Sequence, residues 1–161
     1  MCIRDRFLEI KKKYDGVVYK RRVSTDFAQA MRFLTEGIPP ESGDYVARQV
    51  TAEMTHMIRR DGLIPRAAVF YDRRAFHCAD DPELRLTLDG NIRYRLGDLD
   101  LRNGTDGDTI PGQPFRIMEI KSASSIPLWL AGTLSELGIH PGSFSKYGSV
   151  YKQRFQDLCT T

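Results

Sequence analysis

The sequence predicts an α+β fold of antiparallel strands with flanking helices. Three observations carry that expectation. An Asp-Gly turn separates two alternating runs near the start, two capped helical segments follow, and the second half returns to alternating strands around a long polar loop.

The hairpin comes first. Phe7 to Lys13 and Val17 to Val23 flank Tyr14-Asp15-Gly16-Val17, and Asp-Gly is a strong type I′ signal. A two-residue turn sets Tyr14 opposite Val17, Lys13 opposite Val18, Lys11 opposite Lys20 and Glu9 opposite Arg22. One face then carries Glu9, Lys11, Lys13, Lys20 and Arg22, and the other a mixed set of Leu8, Ile10, Lys12, Tyr19 and Arg21. Next, Ser24-Thr25-Asp26 can cap a helix from Phe27 to Thr35, with Phe27, Ala30, Met31 and Leu34 on one face, and Pro39-Pro40 closes it. A second helix, Asp44 to Arg60, spaces Val46, Val50, Met54 and Met57/Ile58 toward a core and ends at Gly62. Its methionines read as core, and His56 is given no catalytic role.

Strands return at Ala67 to Phe76 and Glu83 to Asp89, joined by a turn at Asp80-Asp81-Pro82. In the second, Leu84, Leu86 and Leu88 alternate with Arg85, Thr87 and Asp89. Ile92 to Leu96 reads as a further short strand. The loop from Gly97 to Pro114 carries Asp98, Asp100, Asp106 and Asp108 without the EF-hand spacing, so it reads as solvated rather than calcium-binding. Phe115 to Lys121 is the last predicted strand, with Phe115, Ile117, Glu119 and Lys121 on one face. Pro127 opens a helix through Leu137, Pro141-Gly142 breaks it, and Ser149 to Leu158 forms a final short helix.

Composition narrows the class. A chain of 161 residues with 41% hydrophobic content can fill a core, and 28% charged residues are too few for disorder. A net charge of +3 names no polyanion by itself; placement matters more. Cys2, Cys78 and Cys159 are odd in number and lack a C-x-x-C, which argues against a disulfide framework or a zinc site. No apolar run approaches the ~18 residues of a membrane span, and no signal-peptide core opens the chain, so a soluble, cytoplasmic domain is expected. Met1 to Arg6 (MCIRDR) runs into the first strand without a turn or cap and reads as a non-native leader, which sets the expected domain at residues 7–161.

The chemistry lies in the charged strand faces. If the strands close into a barrel, one face becomes a lumen lined by Lys11, Lys13, Lys20, Arg22, Arg85 and Lys121. Several like charges in a poorly screened space repel one another, and a bound polyanion resolves the conflict. Glu9 and Glu119 in such a lumen can hold a divalent metal that bridges phosphate oxygens, with Mg2+ or Mn2+ suited to oxygen ligands. Alternation alone does not choose between this lumen and a solvated outer face with surface salt bridges. There is no P-loop, no dinucleotide-binding glycine turn and no nucleophile–His–acid set. Aromatics do not interleave the basic faces as base stacking would require, so no nucleic-acid partner is expected.

Six segments in order resemble one family. Phe7-Leu8-Glu9-Ile10-Lys11 with Val18-Tyr19-Lys20-Arg21-Arg22, then Tyr71 to Phe76, Leu84 to Asp89, Met118 to Lys121, Pro127-Leu128-Trp129 and Phe144-Ser145-Lys146-Tyr147 are similar to the VTC domain in order and spacing. That domain is the catalytic module of the vacuolar transporter chaperone polyphosphate polymerase and belongs with the CYTH-like triphosphate tunnel metalloenzymes. The resemblance implies an antiparallel β-tunnel in which ATP donates its γ-phosphoryl group to a growing polyphosphate chain. It further implies that Lys11, Arg73, Arg85, Lys121 and Lys146 grip phosphates and that Glu119 binds metal; hairpin geometry alone adds Lys13, Lys20 and Arg22 as substrate contacts beside Lys11. The family's earlier strands, with their own Lys and an Arg-x-Arg pair, have no counterpart, so the tunnel is expected with its first strands missing and the fragment is expected to be incomplete. A tunnel triphosphatase and a non-catalytic polyphosphate-binding module are the alternatives. Membrane-protein partners of the intact protein are left open.

Overall fold

A computed structural model describes residues 6–159, with side chains through Arg154. Of the expected leader only Arg6 lies within that range, and Cys2 and the Cys159 thiol lie outside it. The chain divides into two units, residues 1–65 and 66–161. Both mix helices with antiparallel strands, as the sequence predicts. Among the described residues neither sheet closes on itself, and no helix is long and apolar enough to cross a membrane.

The first unit is a hairpin with two helices. Strands β1 (Arg6–Tyr14) and β2 (Val17–Thr25) pair in the register the Asp-Gly turn dictates, with Glu9 opposite Arg22 and Lys11 opposite Lys20. Asp15 and Gly16 both take positive φ, 47° and 77°, as a type I′ turn requires. Helix α1 (Phe27–Glu36) starts at Asp26, whose carboxylate accepts the Gln29 N–H, and stops at Gly37 in the left-handed region. Helix α2 (Tyr45–Asp61) is capped by Asp44 and ends the same way at Gly62.

Leu8, Ile10 and Val23 bury one hairpin face against Phe33 of α1 and Val50 and Met54 of α2. The inward residue of α1 is thus Phe33, backed by Ala30, rather than Leu34, which is exposed; Val46 is exposed as well. Periodicity admitted several faces, and packing selected the one holding Phe33 and Ala30. The mixed hairpin face also finds its reason here. Lys12 and Arg21 both pair with Glu53 of α2, so the cations that interrupt the apolar face meet a carboxylate on the helix that covers it.

In the second unit, β3 (Ala68–His77) pairs along β4 (Arg85–Arg95), whose other edge pairs with β5 (Asp108–Thr109) and β6 (Ile117–Lys121). Helices α3 (Leu128–Glu136) and α4 (Lys146–Cys159) follow. Several boundaries depart from expectation, and β6 begins at Ile117 instead of Phe115. The expected strands Glu83 to Asp89 and Ile92 to Leu96 merge into the single strand β4, because Asn91 and Ile92 form a bulge opposite Tyr71 and not a turn: Asn91 takes φ 50°, while Gly90 keeps its pairing with Asp72. The Gln113 side chain serves the backbone there, accepting from Ile92 N at 3.2 Å and donating at 2.7 Å to Ile92 O, which also accepts the Ile110 N–H. Inside the expected polar loop, Asp108–Thr109 adds a short strand on Arg93 and Tyr94. Helix α4 begins three residues early, since Ser145 caps it: its hydroxyl oxygen accepts the Gly148 N–H at 3.0 Å. Two loop aspartates make local contacts: Asn103 donates to Asp98 at 2.9 Å, and Arg102 holds the Asp100 carboxyl down to about 2.

Candidate functional site

The bulge decides which side chains share a face. Strict alternation along β4 would place Arg93 and Arg95 beside Asp89. The extra residue reverses the parity, so Ile92 and Tyr94 share the face of Arg85, Thr87 and Asp89 while Arg93 turns to Asp72 on the other side. One face of the sheet is therefore apolar at one end and charged at the other. The apolar end, with Ile92, Tyr94 and Ile110, is covered by Val150 of α4, which is 1% exposed. Phe144 meets Phe115 edge-on at 5.6 Å just ahead of the helix. These two contacts fix the start of α4, and Lys146 lies one turn before Val150 on the same helical face.

At the charged end stands Asp89, fully buried. Arg73, directly opposite on β3, donates to it twice: Nε to Oδ1 at 2.6 Å and Nη2 to Oδ2 at 2.7 Å. Lys146 Nζ donates to the same Oδ2 at 2.6 Å. The Tyr71 ring lies beneath both cations, its centroid 4.3 Å from Lys146 Nζ and 5.2 Å from the Arg73 guanidinium carbon. Arg73, with Lys146, holds the Asp89 carboxyl below the usual carboxylate range against the opposing effect of burial, and Asp89 in turn raises Arg73.

Across β4 the charged face continues. Thr87 pairs with Glu119 and Arg85 with Lys121, while His77 of β3 flanks Arg85 on its other side. Glu119 stands 3.9 Å from Arg73 Nη2 and 3.4 Å from Lys121 Nζ. Arg73, Arg85, Lys121 and Lys146 thus share this face with two carboxylates. Directly opposed cations such as Arg85 and Lys121 destabilise a bare sheet and suit one that meets an anion.

Residues 4–155 match the family profile of the VTC domain. The chain belongs to the VTC domain family. That family is related to polyphosphate polymerases and associated with phosphoryl transfer. No curated protein matches the chain.

Of the residues predicted for this VTC domain, Arg73, Arg85, Glu119, Lys121 and Lys146 come together on one face of the second unit. Glu9, Lys11, Lys13, Lys20 and Arg22 lie on the outward face of the β1–β2 hairpin in the first unit, where Lys20 pairs with Glu9 at 2.9 Å and Arg22 stacks on Phe7 at 4.4 Å. Sequence reasoning missed Asp89 as a functional residue, although its alternation with Arg85 and Thr87 put it on the cationic face. Tyr71 was missed too, although it opens the Tyr71 to Phe76 segment on which the family resemblance rests.

The oxygen donors here differ in availability. Both Asp89 oxygens are committed to short ion pairs, whereas Glu119 is half exposed and held only by long contacts. Opposite it the Thr87 hydroxyl is buried without a hydrogen-bond partner. Among the described residues no three His, Cys, Asp or Glu side chains cluster as an all-protein metal cage. A single carboxylate with substrate phosphates completing the shell is the mode Mg2+ and Mn2+ favour, so Glu119 fits such an ion.

Proposed function

We propose that this VTC domain transfers the γ-phosphoryl group of a nucleoside triphosphate, with ATP the expected donor, to the end of a polyphosphate chain. The gathering of Arg73, Arg85, Lys121 and Lys146 on one sheet face, two of them seated on a buried carboxylate, carries the reading. In the reaction a terminal oxygen of the acceptor bonds to the γ-phosphorus as the β–γ bridging oxygen leaves with the nucleoside diphosphate. Little covalent work falls to the protein, so catalysis is orientation and charge neutralisation.

Each side chain has a part that its position suggests. The exposed edge of Arg73 and the free N–H groups of Lys146 bind phosphate oxygens beside Asp89. Arg85 and Lys121, opposed across β4 and β6, draw the chain between them and lose their mutual repulsion when it binds. Glu119 would hold the divalent cation, Mn2+ or Mg2+, which when bound neutralises charge on the triphosphate. On the hairpin, Lys11, Lys13, Lys20 and Arg22 form a second cationic face suited to substrate, with Glu9 beside them as a further carboxylate for metal.

The test is to incubate the chain with ATP and Mn2+ and resolve the products. Polyphosphate that lengthens with time supports the reading. Free phosphate alone would identify a triphosphatase, and tight tripolyphosphate binding without turnover would identify a binding module.

A further inference from the structure

We propose that Asp89 is a positioning residue that turns one edge of the Arg73 guanidinium toward a substrate phosphate. The idea rests on the phosphoryl-transfer reading above and goes beyond it by giving a role to a group that never touches substrate.

A guanidinium offers two edges that can each receive a pair of oxygens, the Nε/Nη2 side and the Nη1/Nη2 end. Asp89 occupies the first, with bonds of 2.6 Å and 2.7 Å. The second is left pointing along the face, and Nη2 on that end stands 3.9 Å from Glu119 Oε2. Exposure separates the partners: the Asp89 side chain is 2% accessible and that of Arg73 38%. The carboxylate therefore sits beneath the guanidinium and acts on substrate through the cations it holds. The same Oδ2 fixes Lys146, which keeps two further N–H donors over the Tyr71 ring.

Charge alone argues against placing Asp89 here. A negative group under the binding face weakens the pull on a polyanion, so a face built only for affinity would do better with a neutral residue. Orientation argues the other way. A misplaced phosphate-binding group slows transfer far more than it weakens binding.

The experiment compares Asp89→Asn, Arg73→Lys and the double variant in the full chain. Tripolyphosphate affinity is measured by calorimetry, turnover with ATP, and folding by circular dichroism. The expected result for Asp89→Asn is affinity equal to or tighter than wild type, with kcat reduced roughly 10- to 100-fold. Arg73→Lys keeps the charge without the edge and is expected to lose a similar amount. The double variant is expected to fall no further than either single change, because both break one unit. Wild-type turnover in Asp89→Asn, a kcat loss matched by lost affinity, or additive losses would each overturn the proposal. Should Asp89→Asn fail to fold, Arg73→Lys decides: undiminished turnover overturns the idea, and a kcat loss at unchanged affinity supports it. A wild-type chain that neither binds tripolyphosphate nor uses ATP overturns the phosphoryl-transfer reading and this proposal with it, whereas an active wild type matched by Asp89→Asn overturns the role of Asp89 alone.

Discussion

Lys146 Nζ lies 2.6 Å from Asp89 Oδ2, joining residues 57 positions apart in the sequence. The contact exists because α4 is pinned on both sides of Lys146, by Phe144 on Phe115 before it and by Val150 in the core after it. Lysine in the first turn of a helix is unfavourable against the helix dipole, and the buried carboxylate offsets that.

Val150→Ala should therefore act on the site as well as on stability. Removing a side chain that is 1% exposed is expected to destabilise the fold by about 2 kcal/mol, read by urea denaturation. It should also weaken tripolyphosphate binding, since Lys146 loses the anchor one turn away. A variant that is less stable but binds as wild type would show that α4 is held by other contacts.

The Asp89 ion pairs should make stability depend on pH in a defined window. The folded carboxyl titrates below its ordinary value, about 3.9, chiefly because Arg73 donates to it. A depressed folded value means the stabilisation is complete above the ordinary value and fades as pH falls through it toward the folded one. The melting-temperature gap between wild type and Asp89→Asn should stay constant from about pH 7 to pH 5 and close below about pH 4. A gap that persists at the acid end would assign the difference to packing instead of charge.

Glu119→Gln separates metal binding from phosphate binding. If Glu119 holds the cation, the change should reduce Mn2+-dependent turnover on the order of 100-fold. Metal-free tripolyphosphate affinity should hold or rise, because a carboxylate leaves a face that binds an anion. Unchanged Mn2+ dependence would remove Glu119 from the metal site.

Much of this was legible in the sequence, and the exceptions have physical causes. Asp15-Gly16 fixed the hairpin register because few residue pairs tolerate two positive φ values in succession. Alternation placed Arg85, Thr87 and Asp89 on one side because side chains along a strand alternate. What could not be read was the bulge. Gly90-Asn91 has the composition of a turn, and only the pairing of β3 on both sides of Tyr71, with the Gln113 side chain on Ile92, makes Asn91 an interruption within one strand. Since that residue reverses parity, the face of Ile92 and Tyr94, and hence the seat of α4, was hidden as well. Nor does a sequence show that Asp89, 16 residues from Arg73 and 57 from Lys146, is where both cations end.

The hairpin offers the sharpest contrast between folding and binding. Lys11 and Lys20 stand directly opposite, a like-charged pair that weakens the bare β1–β2 ladder, while Lys20 already reaches diagonally to Glu9. Lys11→Glu would turn repulsion into attraction and is expected to stabilise the unliganded chain by about 0.5–1 kcal/mol. If the outward face meets polyphosphate, the same change removes a cation and adds an anion, so tripolyphosphate affinity should drop and the salt dependence of binding should flatten. Calorimetry and thermal melts on one preparation read both effects. A gain in stability with unchanged affinity would leave Lys11 as surface charge and place the phosphate-binding function on the Arg73–Lys146 face alone.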